Sequence, residues 1–524
     1  MAAPRSHTFA HYLNRGLRAL CVSSAFVAIA AQATAGQPGT LDPFWANGSA
    51  LGSGKLITAV GSGTDTASAI AVQPDGGVLV VGFCRNVGLC AVRYTIDGAL
   101  DTSFGGNGKL PQVFVPNVVN TTQSLALLPN GKFLLAGTCS DLGDNDFCVL
   151  RFNADGSIDS TFGTFNTNAG IGASVTPIGV GDDRQRAMLT QPDGKIVLAG
   201  TCNNSVDRDF CAARYLPNGT LDASFGSGGK VITAFSNRDD VLGAMALQPD
   251  GKLVLAGYCN DGTTDTVCAL RYEINGALDT GFGVGGKLVT SVGSGYAAAR
   301  AVAVQPDDKL LIAAECLTGS KVDFCLLRYL ANGVLDTALG SSGTRVTSVG
   351  TGNDYVTSMT LQPDGKLLLA GSCAVGGQFD FCAVRFAADA VPTLDATFGT
   401  GGKLLTAISI GATPATSNDF LTAMALQPDG KLLLAGYCRS GSFDKFCVAR
   451  YDGGPFPAPA CSLDIDGDTQ VLATTDSLIH ARIALGILGD AVIAGITFPV
   501  NAQRKTWTQI RGHLVTACGM TLPP

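Results

Sequence analysis

The tetrapeptide QPDG, or a close variant, opens at Gln73, Leu128, Gln191, Gln248, Gln305, Gln362 and Gln427, with spacings between 55 and 65 residues. A chain that repeats on such a period is constrained first by the repeat, because each unit must bury its apolar side against a neighbouring copy. After each turn comes an apolar run ending in cysteine, then a polar stretch, then a second cysteine that opens C-x-x-R-[YF]. A D-G or N-G turn follows in most copies, then an LDxxFG-like box and GGKLxT.

Each unit reads as four strands, which in the sixth are YVTSMTLQ, KLLLAGSC, FCAVRF and GKLLTAI. The D-G dipeptide after proline is a hairpin signal between the first two. The second is apolar at consecutive positions, which predicts burial on both faces. Between Gly36 and Gly454 no segment carries a 3.6-residue period long enough for a helix. The 67 glycines among 524 residues, combined with 46% apolar content, suit short strands joined by tight turns and exclude a disordered low-complexity chain. The expected fold is therefore all-β, a seven-bladed propeller of four-stranded blades. A right-handed parallel β-helix is the main rival, but its coils are shorter and lack two tight hairpin turns per repeat. The last unit stops after FCVARYDGG, and its missing box and strand stand at the other end of the chain, as LDPFWANGSALGSGKLITAV over residues 41–60. The N-terminal strand is thus expected to complete the seventh blade and close the ring, where a linear solenoid would need capping units.

Of the 17 cysteines, Cys21 falls in the N-terminal segment and 14 fall in pairs within the repeats. The pairs are Cys84 with Cys90, Cys139 with Cys148, Cys202 with Cys211, Cys259 with Cys268, Cys316 with Cys325, Cys373 with Cys382, and Cys438 with Cys447. One disulfide across the second hairpin of each blade is expected, with the two cysteines facing each other across the ladder and closing a long exposed loop. Zinc is the alternative, but it favours closer cysteine spacing and takes four ligands. Closing a loop of about ten residues is worth roughly 2.5–3 kcal/mol on the chain-entropy estimate.

A second series runs through Arg93, Arg151, Arg214, Arg271, Arg328, Arg385 and Arg450. Strand alternation turns Arg385 away from the face shared by Cys382, Val384 and Phe386. An arginine among buried strands needs an acceptor, and the boxes supply Asp42, Asp101, Asp159, Asp222, Asp279, Asp336 and Asp395. One Arg–Asp contact per blade is expected, Asp42 serving Arg450 across the closure. Seven copies of a charge pair read as framework more than as a ligand ring.

These motifs, VQPDGKLLLAG, FCAVRF and LDxxFGxxGK, resemble the delta-60 repeat family of bacterial β-propeller-like proteins over residues 37–452. The resemblance implies the propeller fold and assigns no catalytic residue or ligand.

Residues 1–35 read as a signal peptide: Arg5, Arg15 and Arg18, an apolar run from Ala19 to Ala31, and the small-residue site Ala33-Thr34-Ala35. Without its three basic residues, 35 basic against 42 acidic becomes a net charge of −10. An acidic, exported chain argues against nucleic acid or membrane insertion, and a monomer in the periplasm or outside the cell is expected. Residues 453–460 form a Pro-rich linker to a small helical domain over 461–520, bracketed by Cys461 and Cys518. Its Asp464, Asp466, Asp468 and Asp476 resemble half of a dockerin or EF-hand calcium loop. The segment departs from that pattern at Thr469, where glycine is usual, and at Asp476, one residue late. Calcium binding and an Asp-capped helix start are both open readings.

The four histidines, His7, His11, His480 and His513, all lie outside the repeats, which excludes histidine-dependent catalysis within the propeller. Two function classes remain: a scaffold binding a protein or glycan, and an extracellular carbohydrate-active enzyme (glycosidase or lyase) using loop carboxylates. Glu315, Arg184, Arg186, Arg238, Asp239 and Asp240 break the repeat pattern and read as ordinary surface.

Overall fold

The computed structural model describes residues 37–454, apart from gaps at 47–53, 86–87, 111–118, 142, 164–171, 261, 294, 341, 390 and 409–416. Beyond them it describes Ile479, Ile493, Ala494, Ile496, Thr506 and Ile510. The expected signal peptide lies outside the described residues, as do the linker beyond Gly454 and the C-terminal domain apart from those six residues. Pro38–Pro457 form one compact unit.

That unit is seven antiparallel four-stranded sheets. The fourth blade is typical, with an inner strand Asp240–Leu247, a second Leu253–Asn260, a third Asp265–Tyr272 and an outer strand Lys287–Thr290. The Q-P-D-G turn makes the first hairpin by a local device. Gln248 N–H donates to Lys252 O and Gly251 N–H to Gln248 O, each at 2.9 Å, while Asp250 Oδ1 accepts the Lys252 N–H. Gly251 takes φ +87°, a left-handed conformation that glycine adopts without a Cβ clash. In the fifth blade Asp308 holds the same position at φ 61°, as the short polar Asp side chain tolerates.

Inner strands of adjoining blades pack together, and that of the seventh, Asp419–Leu426, packs on that of the first, Asp65–Val72, so the blades form a ring. The seventh blade takes its outer strand from the start of the chain: Lys55–Thr58 pairs antiparallel with Phe446–Ala449. The latch continues outward, with Leu41 bridged to Tyr451 and Asp42 N–H donating to Arg450 O at 2.9 Å.

The apolar second strands are buried on both faces, as in Leu253–Ala256, because each lies between two other sheets. The core is divided among the seams between blades. Val254 and Ala256 of the fourth blade pack with Leu310 and Ile312 of the fifth, and Val197 and Ala199 of the third with Leu253 and Leu255 of the fourth. No blade has an apolar core of its own, so burial rewards only the assembled ring.

Disulfides join the seven repeat pairs, with Cα–Cα distances of 5.8 or 5.9 Å. Their placement differs from the sequence expectation. Cys373 lies opposite Asp380, and Cys382 opposite Gly371, so each bridge is diagonal. Nor does it close a long loop, since the strands run on to a Val375–Gln378 pair and turn at Gly376 and Gly377. A Cβ at Gly371 would meet Tyr355 O at 1.9 Å, which explains the small residue opposite the second cysteine.

Candidate functional site

The Arg–Asp series is the framework on which any site rests. Arg93–Asp101, Arg151–Asp159, Arg214–Asp222, Arg271–Asp279, Arg328–Asp336 and Arg385–Asp395 are ion pairs of 2.6 to 2.9 Å, and Arg450 reaches Asp42 at 2.8 Å. Each contact belongs to one repeat unit, yet the arginine also ties blades together. Arg151 Nη1 donates to Pro217 O at 2.7 Å and Arg271 Nη1 to Ala331 O at 2.6 Å, both in the following blade. Arg214 does the same to Ile274 O. Arg450 Nη1 reaches Ile96 O in the first blade at 2.8 Å. The guanidinium lies over the box aromatic, 4.7 Å from Phe225 for Arg214 and 5.3 Å from Trp45 for Arg450. In the fifth blade the box residue is Leu339 in place of the aromatic. Burial acts to raise the Asp222 carboxyl, but hydrogen bonds from Ser224 and the charge of Arg214 prevail and hold it at about 2.

A second carboxylate series escaped the sequence reading. Asp65, Asp183, Asp240, Asp354 and Asp419 begin their inner strands fully buried, each accepting a backbone N–H from the segment before it, as Phe235 gives to Asp240 at 2.6 Å. What faces each one from the preceding blade varies. Lys445 of the seventh blade pairs with Asp65 at 3.1 Å. Asp209 of the third blade instead faces Asp240, whose carboxyl is pushed up to about 7 by burial and by the charges of Asp209 and Asp207. Asp380 beside Asp419 is raised to about 6, again by burial first and then by the like charge. Asp240, expected at the surface, is thus a buried seam residue; its neighbour Asp239 does stand outside, paired with Arg208 at 2.5 Å.

The channel end is where the sevenfold pattern breaks. Inner strands carry a β-bulge whose extra residue has no ladder partner, for example Gly243 between Leu242 and Ala244. At that position stand Ser68, Gln123, Thr357 and Thr422 in four blades, but Arg186 and Arg300 in the third and fifth. Arg184 and Arg186 alternate with buried Gln185 and share one face. A cleft of about 520 Å³ gathers Arg184, Arg186, Arg208 and Arg300, with Gln123 and Asn145. Arg184 and Arg186, read from sequence as plain surface, are exposed residues lining this cleft, and neither forms an ion pair among the described residues. Desolvation of its guanidinium within the cleft and the like charge of Arg300 lower the proton affinity of Arg186 below its ordinary value, against the opposing charge of Glu315. Arg300 is neutralised by Glu315 at 2.9 Å, and Tyr296 hydroxyl donates to the same carboxylate oxygen at 3.1 Å. Glu315 is accordingly buried, in contrast to the surface expectation. Burial opposes the charge of Arg300, but Glu315 outweighs it and the net shift is upward.

Sequence reasoning missed Arg208, Arg300 and Tyr296. The one available signal was an arginine in the fifth inner strand, AAARAVAV, where alanine and valine otherwise prevail. Asp464, Asp466, Asp468, Asp476, Cys461 and Cys518 lie outside the described residues. Among the described residues no group of three or more His, Cys, Asp or Glu side chains is placed to hold a metal, and no helix is long and apolar enough to cross a membrane.

Residues 128–162, 191–225, 248–282, 305–338 and 362–398 match the model of a family described as a domain of unknown function (DUF5122) beta-propeller. The matched stretches fall in the second to sixth blades, from the Q-P-D-G turn to the box, and this is the propeller-repeat pattern the motifs resemble. No curated protein matches in sequence. Similar solved structures include a catalytically inactive virginiamycin B lyase from Staphylococcus aureus with quinupristin, at 11% identity and TM-score 0.43 over 75% of this chain and 98% of that one. Polysaccharide lyase Uly1 is similar at 12% identity and TM-score 0.38, covering 76% and 91%. Drosophila Semaphorin 1b, extracellular domains 1-2, is similar at 8% identity and TM-score 0.39, covering 79% and 88%.

Proposed function

We propose that the protein is an exported binding scaffold, a rigid disc that holds a protein or glycan ligand at the arginine-lined end of its channel. The observation that carries this reading is the pair Arg184 and Arg186, which form no ion pair among the described residues in a cleft that also holds the paired Arg208 and Arg300. Unpaired guanidinium groups held by a stiff sheet are suited to an anionic group, which they bind through paired N–H donors. Seven disulfides support export to an oxidising compartment. The Arg184→Ala, Arg186→Ala double variant, checked for an unchanged melt, should retain no ligand when envelope or secretome extract is passed over it. Retention equal to wild type would refute the placement of the seat.

The alternative, a carbohydrate-active enzyme, has less support in the cleft. Hydrolysis by the usual route takes two carboxyl groups, and the nearby Glu315 is occupied by Arg300 and Tyr296. Turnover of an acidic polysaccharide by the pure protein would revive it. Within the same proposal, the Asp464, Asp466, Asp468 and Asp476 segment binds calcium, and a titration of the full chain that releases no heat would remove that part.

A further inference from the structure

The cleft has a counterpart further round the channel mouth. Arg184 directly follows the buried Asp183 of its inner strand, and Tyr355 and Phe420 directly follow Asp354 and Asp419 in theirs. By the repeat register these three side chains stand at the same end of the ring. Tyr355 and Phe420 belong to a half-buried file of rings. Tyr355 to Phe379 is 5.5 Å, Phe379 to Phe420 is 5.4 Å and Phe420 to Tyr437 is 5.3 Å between centroids. Their planes meet at only 33° to 36°, so they form a shallow shelf across the sixth and seventh blades. The third blade, with Arg184 and Arg186, is followed round the ring by the fourth, by the fifth with Arg300, and by the sixth and seventh with the rings, so a ligand joining the two surfaces spans the fourth and fifth inner strands in an arc.

Resting on the seat proposed above, we infer that the ligand is an acidic oligosaccharide laid along this arc, its carboxylates on Arg184 and Arg186 and its sugar rings on Tyr355, Phe379, Phe420 and Tyr437. A planar guanidinium matches a carboxylate through two parallel hydrogen bonds. An aromatic face offers the apolar C–H side of a pyranose a flat surface, while tyrosine hydroxyls answer its oxygens. Nucleic acid is a poorer occupant: the chain as a whole carries −7, so a long polyanion gains no general attraction from it.

The test is calorimetry on the full chain with a short oligogalacturonate, the same oligomer with its carboxyls reduced to alcohols, and inorganic phosphate. The acidic oligomer should bind and the reduced one should not. Arg186→Ala should weaken binding about tenfold or more, as expected for loss of a charge-assisted hydrogen bond, with Arg186→Lys in between. Phe420→Ala should weaken the oligomer by a smaller factor while the far-ultraviolet spectrum stays unchanged. Equal binding of the reduced oligomer overturns the inference. So does phosphate binding as tightly as the oligomer without regard to Phe420. If the oligomer fails but a ligand retained from native extract still requires Arg186, the sugar assignment falls and the seat stands. If retention ignores Arg184 and Arg186 altogether, both fall.

Discussion

The seam between the seventh and first blades and the seam between the third and fourth are built on the same plan and end in opposite electrostatics. In both, a buried aspartate opens the inner strand of the later blade. At the closure Lys445 meets Asp65, its Nζ also donating to Gly61 O and Gly63 O. At the other seam Asp209 meets Asp240, and Oδ1 of each has no hydrogen-bond partner. The ring thus places a lysine beside the blade in which its two chain ends meet, and accepts a carboxyl pair that keeps a proton into the neutral range at a seam remote from them. The chain crosses both seams from an outer strand into the next inner strand, but at the closure that outer strand is held to the rest of its own blade by pairing alone, and it is there that a lysine faces the buried aspartate.

The largest expected effect lies at the closure. Asp42→Ala leaves Arg450 buried without its acceptor and should cost about 3–5 kcal/mol in a denaturant melt. Asp101→Ala in the first blade, where the side chain is 27% exposed, should cost about 2 kcal/mol or less. Equal costs would show that the closure has no special dependence on its clamp.

Lys445→Met comes next. It removes the cation that faces the buried Asp65 and should cost about 2–3 kcal/mol at pH 7, read as a lowered melting temperature.

The staples should not distinguish the two regions, because each lies within one blade. Replacing Cys438 and Cys447 with serine, or Cys202 and Cys211, should cost about 2 kcal/mol or less, under the chain-entropy figure, since strand pairing already extends beyond the bond. A much greater loss in the seventh blade would mean that the closure leans on its covalent link.

Asp209→Asn should act in the opposite direction to Lys445→Met. Because Asp240 binds its proton more tightly when folded, its contribution is full below the ordinary carboxyl range and is lost as pH rises through about 7. The melting temperature should fall between pH 5 and pH 8, and the asparagine variant should flatten that fall and gain about 1 kcal/mol at pH 8. A wild-type melt that rises over that interval would contradict the seam. The smallest effect is expected at Leu339→Phe, which restores the box aromatic of the other six blades and should add about 0.5–1 kcal/mol. An unchanged melt would assign those rings to packing alone.

The fold was legible because its devices repeat locally. Cysteine spacing, the Arg–Asp series and the split seventh unit each state a contact within one unit or across the two ends. The seam aspartates recur as plainly, one at the head of five inner strands, but their meaning depends on another blade: Asp209 beside Asp240, Asp323 beside Asp354, Asp380 beside Asp419, Lys445 beside Asp65. Asp240 therefore passed for surface. The cleft was harder still. Arg184 and Arg186 lie two apart on one strand, but Arg186 and Arg300 both stand at bulges and meet only through ring geometry, which no periodicity announces. Glu315 was visible as an irregularity, and its burial beside Arg300 was not.

The latch also fixes how the disc answers to a pull. Chain enters the seventh sheet at Lys55 and leaves it past Tyr451, and Lys55 lies opposite Ala449. Tension between the two exits would therefore unzip that one pairing rung by rung, with the other six sheets outside the load path. The blades are paired all round the ring, yet the ring has one mechanical fuse, set where the entering and leaving strands lie side by side.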